Sequence, residues 1–381
     1  TLTGVDQQAD HVIETTMGTM NVTNNDGFLM TAMGGRLQLF GEDKITFTKL
    51  AATVEVGSDT ITVENIIERN YDGTTSAASD GQLNWEVGDT IVIASSSYDY
   101  SEEEVRTITN VNNTGSQTVL TLDSALGHRH YGEVETYGNG TRTWDIDLRA
   151  EVALLNRSIT IQGTQDTDNS FGDRAAYGAG AGQNLGVGGH AMFMPGSGQI
   201  TIDSARFDKM GQTATIGRYP IHWHVAEDRT GDILRNSSVT NSNNRGVTIH
   251  GAQNILVEGN VLHDIHGHGF FMEDAAETGN EFLHNIVFGI HRVGGGLAPN
   301  DPFVVPGITR GPDGKVNGAA LQNGNGEGSH DSGQNSPQRF VHSAAYWITN
   351  PDNTWVGNIS AGSEGTGFWF ILPDEVLGLS R

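Results

Sequence analysis

The sequence contains no cysteine in its 381 residues. This absence excludes a disulfide framework, a thiolate metal site and a cysteine nucleophile. The stability of the chain must therefore come from side-chain packing and from any metal ion that the chain binds.

Positive charge is also scarce. The chain has 21 Lys and Arg against 46 Asp and Glu, which gives a formal net charge of -25 at pH 7. This charge argues against nucleic acid as a partner, because phosphate binding needs a basic surface. The same charge disfavours simple electrostatic attraction to an anionic polysaccharide, and it suits a protein that stays soluble in a salty medium.

Long apolar runs are missing as well. No run approaches the ~18 apolar residues of a membrane span, so we expect no membrane insertion. The N-terminus lacks the basic and then apolar pattern of a secretory signal, so we expect that a signal was removed or that the chain is a fragment. Glycine is abundant, at 51 residues, while proline is rare, at 9, a balance that indicates many short strands joined by tight turns.

A weak repeat begins near residue 200. An asparagine precedes a short apolar strand in "ILRNSSV", "ILVEGNVLH", "EFLHNIVF" and "TWVGNISA". These asparagines are Asn236, Asn260, Asn285 and Asn358, and the first three are spaced by 24 and 25 residues. Such a period of short strands predicts an all-β fold, a right-handed parallel β-helix, with asparagines hydrogen-bonded along a ladder. The alternative is chance, since asparagine is common in turns.

A second set of strands aligns in the same way. "PIHWH" (220–224), "GVTIH" (246–250), "GFFME" (269–273) and "GFWFI" (367–371) can be written beneath one another. Alternate residues share a face of a strand, so one face is apolar and predicted to form the core. The opposite face, predicted to point outward, carries His222, His224, Thr248, His250, Phe271 and Glu273.

The N-terminal third has a different pattern. Alternating apolar and polar residues with glycine and asparagine turns predict a small antiparallel β-barrel over 50–126. We expect residues 1–49 to start the β-helix and residues 127–381 to form the rest of it. Two long segments without a strand pattern, 163–189 and 305–337, are predicted to be functional lids or mobile connections.

The outward histidines are the strongest candidate for a site. The alignment places His224, His250 and Glu273 at equivalent positions of three successive strands, about 4.8 Å apart, so they can converge on one ion. We predict a divalent metal ion, zinc or calcium, at these residues. His190 is placed in register with His222 as an additional ligand or a supporting residue. The alternative is a row of surface histidines bonded to one another and to water.

A second candidate is "TWDIDLRAEVALL". Strand alternation puts Asp145, Asp147, Arg149 and Glu151 on one face. Such a group can act as an acid/base array in which Arg149 binds a substrate carboxylate. The alternative is a solvated strand face with internal ion pairs.

A third candidate is "HDIHGHGFFMED". His266 and His268 lie in a predicted turn and can transfer protons near neutral pH. Two aromatic residues that the alignment points outward, Phe271 and Trp369, can stack on sugar rings. They can equally serve packing.

Several long motifs resemble one known family. They are "WEVGDTIVIASSSYDYSEEE", "LRAEVALLNRSITIQG", "IGRYPIHWH", "VTIHGAQNILVEGNV", "GHGFFMEDAAETGN" and "YWITNPDNTWVGN", in the same order, between about residues 30 and 375. The family combines an eight-glycine domain with a parallel β-helix and includes the cell-migration-inducing hyaluronan-binding protein, the transmembrane cell-surface hyaluronidase and fibrocystin-like proteins.

The resemblance implies one of two functions. The hyaluronan-degrading members imply an endo-acting, calcium-assisted depolymerase, and the fibrocystin-like members imply a non-enzymatic ectodomain. The family's motifs fall on Arg149 and Glu151, on His222, His224 and His250, and on Glu273 and Asp274. The lack of cysteine and the acidic composition indicate a microbial, secreted relative.

Two hypotheses follow. The first is a secreted or cell-surface enzyme that cleaves an acidic polysaccharide along a lateral groove, by hydrolysis or, as second choice, by β-elimination. Its predicted catalytic residues are Asp147, Arg149, Glu151, His222 and His268; its substrate-binding residues are Arg149, Phe271 and Trp369; and its metal ligands are His190, His224, His250 and Glu273. The second hypothesis is a non-catalytic carbohydrate-binding module of the cell surface.

Overall fold

The fold is given by a computed structural model. It describes residues 35–68, 75–77, 83–163, 188–212, 217–291, 343–373, 376 and 378–380, and the strand residues 2–3, 11–15, 18–22 and 29–31. Of the strand residues before residue 35, and of residues 66–68 and 75–77, only the backbone is described.

Three parallel sheets form the body of the protein, and each turn of the chain, here called a coil, adds one strand to each sheet. Sheet 1 contains Leu2–Thr3, Ile159–Gln162, Ala205–Asp208, Ser238–Ser242, Val261–His266, Ile286–His291 and Ile359–Ser360. Sheet 2 contains Leu29–Thr31, His190–Phe193, Ile221–Asp228, Val247–Gln253, Phe270–Met272, Ala344–Ile348 and Thr366–Phe370. Sheet 3 contains Leu37–Phe40, Ile200–Asp203, Ile233–Arg235, Leu256–Glu258, Glu281–Leu283 and Thr354–Val356. The predicted parallel β-helix is confirmed.

The core of the β-helix is built from alternate residues of the strands. Trp223, Ile249 and Met272 occupy one row and are almost fully buried, because strand alternation directs them inward. Aromatic rings stack from coil to coil: Phe270 on Tyr346 in the interior, with centroids 5.2 Å apart, and Tyr346 on the exposed Phe368 of the last strand, with centroids 4.6 Å apart. The strand Ala344–Ile348 lies between two strands that the sequence alignment placed next to each other, so that alignment missed one coil.

An asparagine ladder crosses the coils where sheet 1 begins. The Nδ2 of Asn260 donates to Oδ1 of Asn285 at 2.9 Å, and the Nδ2 of Asn285 donates to Oδ1 of Asn358 at 2.9 Å. Backbone N–H groups of Asn260 and Asn285 bond the same oxygens at 3.0 Å. The ladder therefore satisfies polar groups that the turn buries.

Asn236 is not a member of this ladder, contrary to the expectation from the sequence. Ser238 pairs with Val261, so Ser237 occupies the position that Asn260 has on the next coil. Asn236 has a φ of 50°, and the equivalent Gly259 has a φ of 64°. The turn needs a left-handed residue at this point, and asparagine and glycine adopt that conformation most readily.

A six-stranded antiparallel barrel is inserted between the first coils. Its strands, in order around the sheet, are Phe47–Lys49, Glu151–Leu154, Thr90–Ile93, Glu104–Asn113, Gln117–Leu122 and Thr60–Glu64. A bridge between Leu50 and Val63 joins the first and last strands. The barrel therefore begins before residue 50 and ends after residue 126, the bounds expected from the sequence. The buried strand Glu151–Leu154 pairs with Phe47–Lys49 on one side and with Thr90–Ile93 on the other, so both outer strands belong to the barrel.

The barrel packs on the outer face of sheet 1. Val261, Ile286 and Phe288 of that sheet belong to the same apolar cluster as the barrel interior. The remaining elements are three two-stranded ribbons, His11–Thr15 with Gly18–Val22, Ile66–Glu68 with Thr75–Ala77 and Val134–Gly138 with Thr143–Asp147, and the short 3-10 helices Tyr100–Glu102 and Gly378–Ser380.

Within the described part of the chain, no helix has the length and apolar character needed to cross a bilayer. Nearly all of the two segments predicted as lids, 163–189 and 305–337, lies outside the described residues.

Replacing Asn285 with Ala should lower the free energy of unfolding by about 3 kcal/mol, because buried donors and acceptors on neighbouring coils lose their partners. Urea denaturation measures the change. The control is Asn112→Ala, at an exposed barrel position, which should change the value by less than about 0.5 kcal/mol. Equal losses in the two variants would contradict a structural role for the ladder.

Candidate functional site

Strand register brings three histidines together on the outer face of sheet 2. His224 pairs directly with His250, and His222 pairs with Thr248. One ring nitrogen from each of His222, His224 and His250 lies within 4.8 Å of the others. This group is called the three-histidine centre below. Ile249 pairs with Met272, so Glu273 follows on the next coil beside His250, as the alignment predicted.

The distances within the three-histidine centre are short. The Nδ1 atoms of His224 and His250 are 3.2 Å apart. An oxygen of Glu273 lies 3.5 Å from Nδ1 of His250. The rings of His222 and His250 are parallel, with centroids 5.9 Å apart, and the His224 ring lies 4.9 Å from both. The three imidazoles therefore lie close enough together to hold one ion, and the Glu273 carboxylate lies beside one of them.

Hydrogen bonds fix the tautomers of two of these rings. Nδ1–H of His222 donates to the carbonyl of Gly217 at 3.1 Å, so Nε2 carries the lone pair. This Nε2 is buried and has no hydrogen-bond partner among the described residues. Nε2–H of His250 donates to Asp274 at 2.7 Å, so in the neutral ring the lone pair is on Nδ1, the atom that faces His224. In metal-binding histidines, too, one ring nitrogen donates its proton to a carbonyl or carboxylate and the other binds the metal ion with its lone pair.

Burial and charge separate the pKa values of the three rings. Burial holds the pKa of His222 well below its usual value, and burial together with the neighbouring His250 lowers that of His224. Burial also acts against the charged form of His250, but the carboxylates of Glu273 and Asp274 outweigh it and raise the pKa to about 9. Without a metal ion, a proton on His250 is the cation of the centre.

The donor set fits a zinc-like ion rather than calcium. Three neutral imidazole nitrogens with a nearby carboxylate are ligands that zinc and similar transition ions take. Calcium binds six to eight oxygens, and the three-histidine centre offers mainly nitrogen. The unsatisfied, buried Nε2 of His222 is the observation on which this fit rests.

The outer face is buried, whereas the sequence predicted an exposed row. His222 is 1% exposed, His250 5% and Glu273 3%. The segment before the strand covers His222 through the Gly217 carbonyl and the Tyr219 ring, whose centroid is 4.9 Å from that of His222. Ser380 covers Asp274, to which its N–H donates at 3.1 Å. Only His224 among the three histidines is partly exposed.

His190 is not a ligand of the three-histidine centre. Met192, not His190, is the residue in register with His222, so the predicted alignment is wrong by two residues. Nε2 of His190 accepts a hydrogen bond from Arg218 at 2.7 Å. Burial, with the charge of Arg218, lowers the pKa of His190 to about 3.

The acidic cluster around Arg149 lies on the barrel. The guanidinium of Arg149 binds both oxygens of Asp147 at 2.9 Å and Glu64 at 3.2 Å. Lys49 contacts Asp147 at 2.9 Å and Glu151 at 3.7 Å. Burial raises the pKa of Glu151, whereas hydrogen bonds from Arg149 and Lys49 outweigh burial and hold that of Asp147 far below its usual range. The contacts of this cluster are those of an ion-pair network between the barrel strands and the end of the ribbon strand Thr143–Asp147. Among the described residues, none of these contacts reaches the three-histidine centre.

Phe271 does not offer a face to a sugar. His268 stacks on the ring, with centroids 5.0 Å apart and planes 7° from parallel. The guanidinium of Arg245 lies 4.0 Å from the centroid of the same ring. His268 is itself buried, and its Nδ1 accepts the N–H of Ala344 at 3.2 Å. Trp369, stacked 5.8 Å from Trp347, is only partly buried and remains a candidate for sugar stacking.

Two carboxyl groups support the three-histidine centre and were not singled out by spacing. Asp274 holds the His250 proton, and Glu277 accepts the N–H groups of Gly251 and Asp274 at 2.7 and 3.0 Å. Burial raises the pKa of Glu277 to about 7. Only the Glu-Asp pair of the family motif pointed to Asp274, and no pattern in the sequence pointed to Glu277.

The other histidines of "HDIHGHGF" lie where the barrel meets the β-helix. His263 contacts Glu103 of the barrel at 3.0 Å. His291 lies beside His266 on the next coil, 3.1 Å from Asp264. This contact and the nearby carboxylates outweigh the effect of burial and raise the pKa of His291 to about 9. These residues belong to a junction of ion pairs rather than to the three-histidine centre.

The stacked parallel sheets define a parallel β-helix protein with a histidine-rich outer face. Residues 186–381 match the family model described as the CEMIP beta-helix, and the chain belongs to this family.

Named relatives match most of the chain. The chain is 30% identical over 330 residues to the human cell migration-inducing and hyaluronan-binding protein, covering 82% of the chain and 22% of that protein. It is 28% identical over 372 residues to mouse fibrocystin-L, covering 91% and 7%. It is also 28% identical over 356 residues to a G8 domain-containing protein of Dictyostelium discoideum, covering 92% and 25%. The chain thus spans less than a third of each of these relatives.

Two of the solved structures that are similar to this chain are phage tailspikes. The tailspike of Pseudomonas phage phi297 gives 11% identity and a TM-score of 0.21, with 70% of this chain and 38% of that chain covered. The tailspike of Acinetobacter baumannii phage AP22, solved with a capsular saccharide, gives 12% identity and a TM-score of 0.19, with 68% and 41% covered. Superpositions of this quality carry no argument about function.

Replacing Asp274 with Asn should weaken zinc binding about 10- to 100-fold, because the carboxylate that orients His250 and makes it more basic is lost. Competition with a chromophoric chelator measures the dissociation constant. Asp352→Asn, a charge-matched change at an exposed position of the same β-helix, should leave it unchanged. Equal zinc affinities in the two variants would exclude the role given to Asp274.

Zinc affinity should depend on pH, because His250 keeps its proton up to about pH 9 and a ligand nitrogen must lose it. Apparent affinity should rise about tenfold per pH unit below that value and level off above it. Calorimetry in buffers of different ionisation enthalpy should give about one proton released per zinc ion near pH 7. An affinity that stays constant between about pH 7 and 9 would show that His250 is not a ligand.

Proposed function

We propose that the protein binds an acidic glycan of the hyaluronan type and cleaves it with a divalent transition ion held by His222, His224 and His250. The observation that carries this proposal is the convergence of the three ring nitrogens, two of them in the tautomer that a metal ion requires. A row of surface histidines bonded to water has no need of such fixed tautomers.

Each residue of the three-histidine centre has a distinct role in this proposal. His222 and His250 bind the ion with buried nitrogens, and Gly217 and Asp274 hold their remaining protons. His224, the partly exposed ligand, marks the side on which the ion meets substrate. An ion held there would supply positive charge to polarise the bond to be cleaved. Glu273, 3.5 Å from His250, is the nearest candidate to take or give a proton.

An acidic glycan is supported by two observations. A relative at 30% identity is named for hyaluronan binding. The chain carries a formal charge of -25, so an anionic polymer needs a local cation at its binding site, and a bound metal ion is such a charge. Because such glycans are extracellular polymers, we infer that the protein acts outside the cell or at its surface.

The proposed reaction is hydrolysis, and the ion-pair network around Arg149 has no part in it. Asp147 and Arg149 neutralise each other on the barrel. Elimination next to a uronic acid is the second candidate reaction, because it needs one base rather than two carboxyl groups, and Glu273 is the one carboxylate beside the His250 ligand nitrogen.

A non-catalytic glycan-binding module is the second candidate function. The burial of His222 and His250 favours it, since a closed metal site stabilises a fold without meeting substrate. The two functions differ in whether removal of the metal abolishes cleavage or only lowers stability.

Cleavage should require the metal and His224. Purified protein is incubated with hyaluronan, chondroitin, alginate and pectin, with and without a chelator, while reducing ends and ultraviolet absorbance are followed. We expect chelator-sensitive cleavage of one polymer and a loss of at least about 100-fold in the His224→Ala variant, since removing one ligand disrupts the centre.

The control for this assay is His128→Ala, which removes an exposed histidine of the barrel segment and should leave the rate unchanged. Absorbance from unsaturated products would assign elimination, and reducing ends without absorbance would assign hydrolysis. If folded, metal-loaded protein cleaves none of the polymers, the enzymatic function is contradicted. The non-catalytic glycan-binding module is then the remaining candidate function.

A further inference from the structure

The two-stranded ribbon of Val134–Gly138 and Thr143–Asp147 has two unlike faces. Strand alternation and cross-strand pairing place Tyr137, Trp144 and Ile146 together on one of them. This face is called the aromatic face below. The acidic residues of "TWDIDLR" lie on the other face, so the ion pairs of that segment make no use of the aromatic face.

Polar contacts fix the ribbon through the other face. Asp147 binds Lys49 and Arg149, each at 2.9 Å, which ties the base of the ribbon to the barrel. The hydroxyl of Thr136 donates to Asp145 at 2.6 Å across the two strands. The ribbon is thus held in place by one face, while the aromatic face is left to solvent.

Two aromatic side chains lie side by side on the aromatic face. Tyr137 pairs directly with Trp144, so their Cβ atoms are about 5 Å apart. Tyr137 is 45% exposed and Trp144 47%, and the neighbouring Ile146 is exposed as well. Large apolar side chains that are exposed as a group mark binding surfaces, and tyrosine and tryptophan are the residues that such surfaces favour.

A cation without a partner lies at the tip of the same ribbon. Arg142 faces Asn139 across the turn and precedes Trp144 by two residues, so strand alternation places it on the aromatic face. Its exposed guanidinium has no hydrogen bond or ion pair to any residue that the structure describes. Arg149 and Arg229 differ from it, because a carboxylate binds each of them.

One carboxylate of the ribbon shares the aromatic face, but it lies at the opposite end. Glu135 pairs with Ile146 and accepts a hydrogen bond from the hydroxyl of Tyr131. Four residues along a strand separate the position of Ile146 from that of Arg142, which corresponds to about 14 Å. The positive charge at the tip is therefore not cancelled by Glu135.

We propose that the aromatic face, together with Arg142, is a subsite that binds a uronic acid unit of an acidic polysaccharide without the three-histidine centre. The C–H face of the sugar stacks on Trp144 and Tyr137, because the ring faces carry negative charge density. The guanidinium of Arg142, about 7 Å further along the strand, binds the sugar carboxylate through two parallel hydrogen bonds. This inference rests on the proposed function for the class of ligand and deepens it by naming a second contact with the polymer.

Affinity electrophoresis tests the aromatic part of the subsite. Gels contain hyaluronan, chondroitin, alginate or pectin together with a chelator, so that no metal-assisted cleavage occurs. Trp144→Ala should weaken binding of the polymer that retards the unsubstituted protein at least about tenfold, and Tyr137→Ala should weaken it less. The control is Tyr98→Ala, which removes a fully exposed tyrosine outside the ribbon and should leave the retardation unchanged.

The carboxyl-reduced form of the same polymer tests the role of Arg142. Arg142→Gln should weaken binding of the acidic polymer at least about threefold and leave binding of the reduced polymer unchanged. Arg142→Lys should give an intermediate affinity for the acidic polymer, because it keeps the charge but loses the paired geometry. Arg36→Gln, which removes the same charge at another exposed position, should bind both forms as the unsubstituted protein does. An Arg142→Gln variant that discriminates the two forms as the unsubstituted protein does would overturn carboxylate recognition.

Further outcomes separate this inference from the proposed function. Equal affinity of Trp144→Ala and the unsubstituted protein overturns the subsite, and so does the absence of retardation in all four polymers, even where metal-dependent cleavage is found. Self-association that Trp144→Ala abolishes, with glycan binding unchanged, would overturn it in favour of a contact between copies of the chain. The metal is followed by the visible absorbance of bound cobalt. Absence of that spectrum overturns the metal centre, whereas retardation that still depends on Trp144 then supports the subsite alone.

Discussion

The pairing of the strands Ile221–Asp228 and Val247–Gln253 is the constraint on which the candidate site depends. A shift by one residue would move every side chain to the other face of the sheet. The observed register sets His224 against His250 and, on the next coil, brings Glu273 beside them. The apolar row of Trp223, Ile249 and Met272 fixes that register, because the same pairing must bury these residues in the core. The convergence of the three histidines is therefore a consequence of core packing on the opposite side of the same strands.

The coil repeat is also what made part of the site predictable from the sequence. An asparagine every 24 or 25 residues and alternating apolar positions are local patterns, and they placed His224, His250 and Glu273 on successive coils. His190 was misplaced by two residues because the coil from Met192 to His222 is longer than the next one, from His222 to Thr248. The strand Ala344–Ile348 was missed because the chain between it and residue 291 breaks the regular spacing.

Burial of the site could not be predicted in this way. The residues that cover the histidines, such as Gly217 and Ser380, come from turns and from distant parts of the chain, and no periodicity links them to sheet 2. The same holds for Glu277, whose two backbone hydrogen bonds arise only once the turn after Met272 has formed. The cluster around Arg149 agrees with the alternative that the sequence left open, since its charges bind one another. Its residues do not lie on one strand, because Asp147 ends one strand and Glu151 begins the next.

Under the proposed function, an acidic protein must concentrate positive charge at the place where it meets an acidic polymer. In that proposal the protonated His250, or a metal ion in its stead, supplies the charge on the outer face of sheet 2. The most direct test of this account is X-ray absorption spectroscopy of the zinc-loaded protein. The account predicts a low-coordinate shell dominated by three imidazole nitrogens at about 2.0–2.1 Å. A shell of oxygen ligands without imidazole scattering, or no stoichiometric zinc, would contradict it.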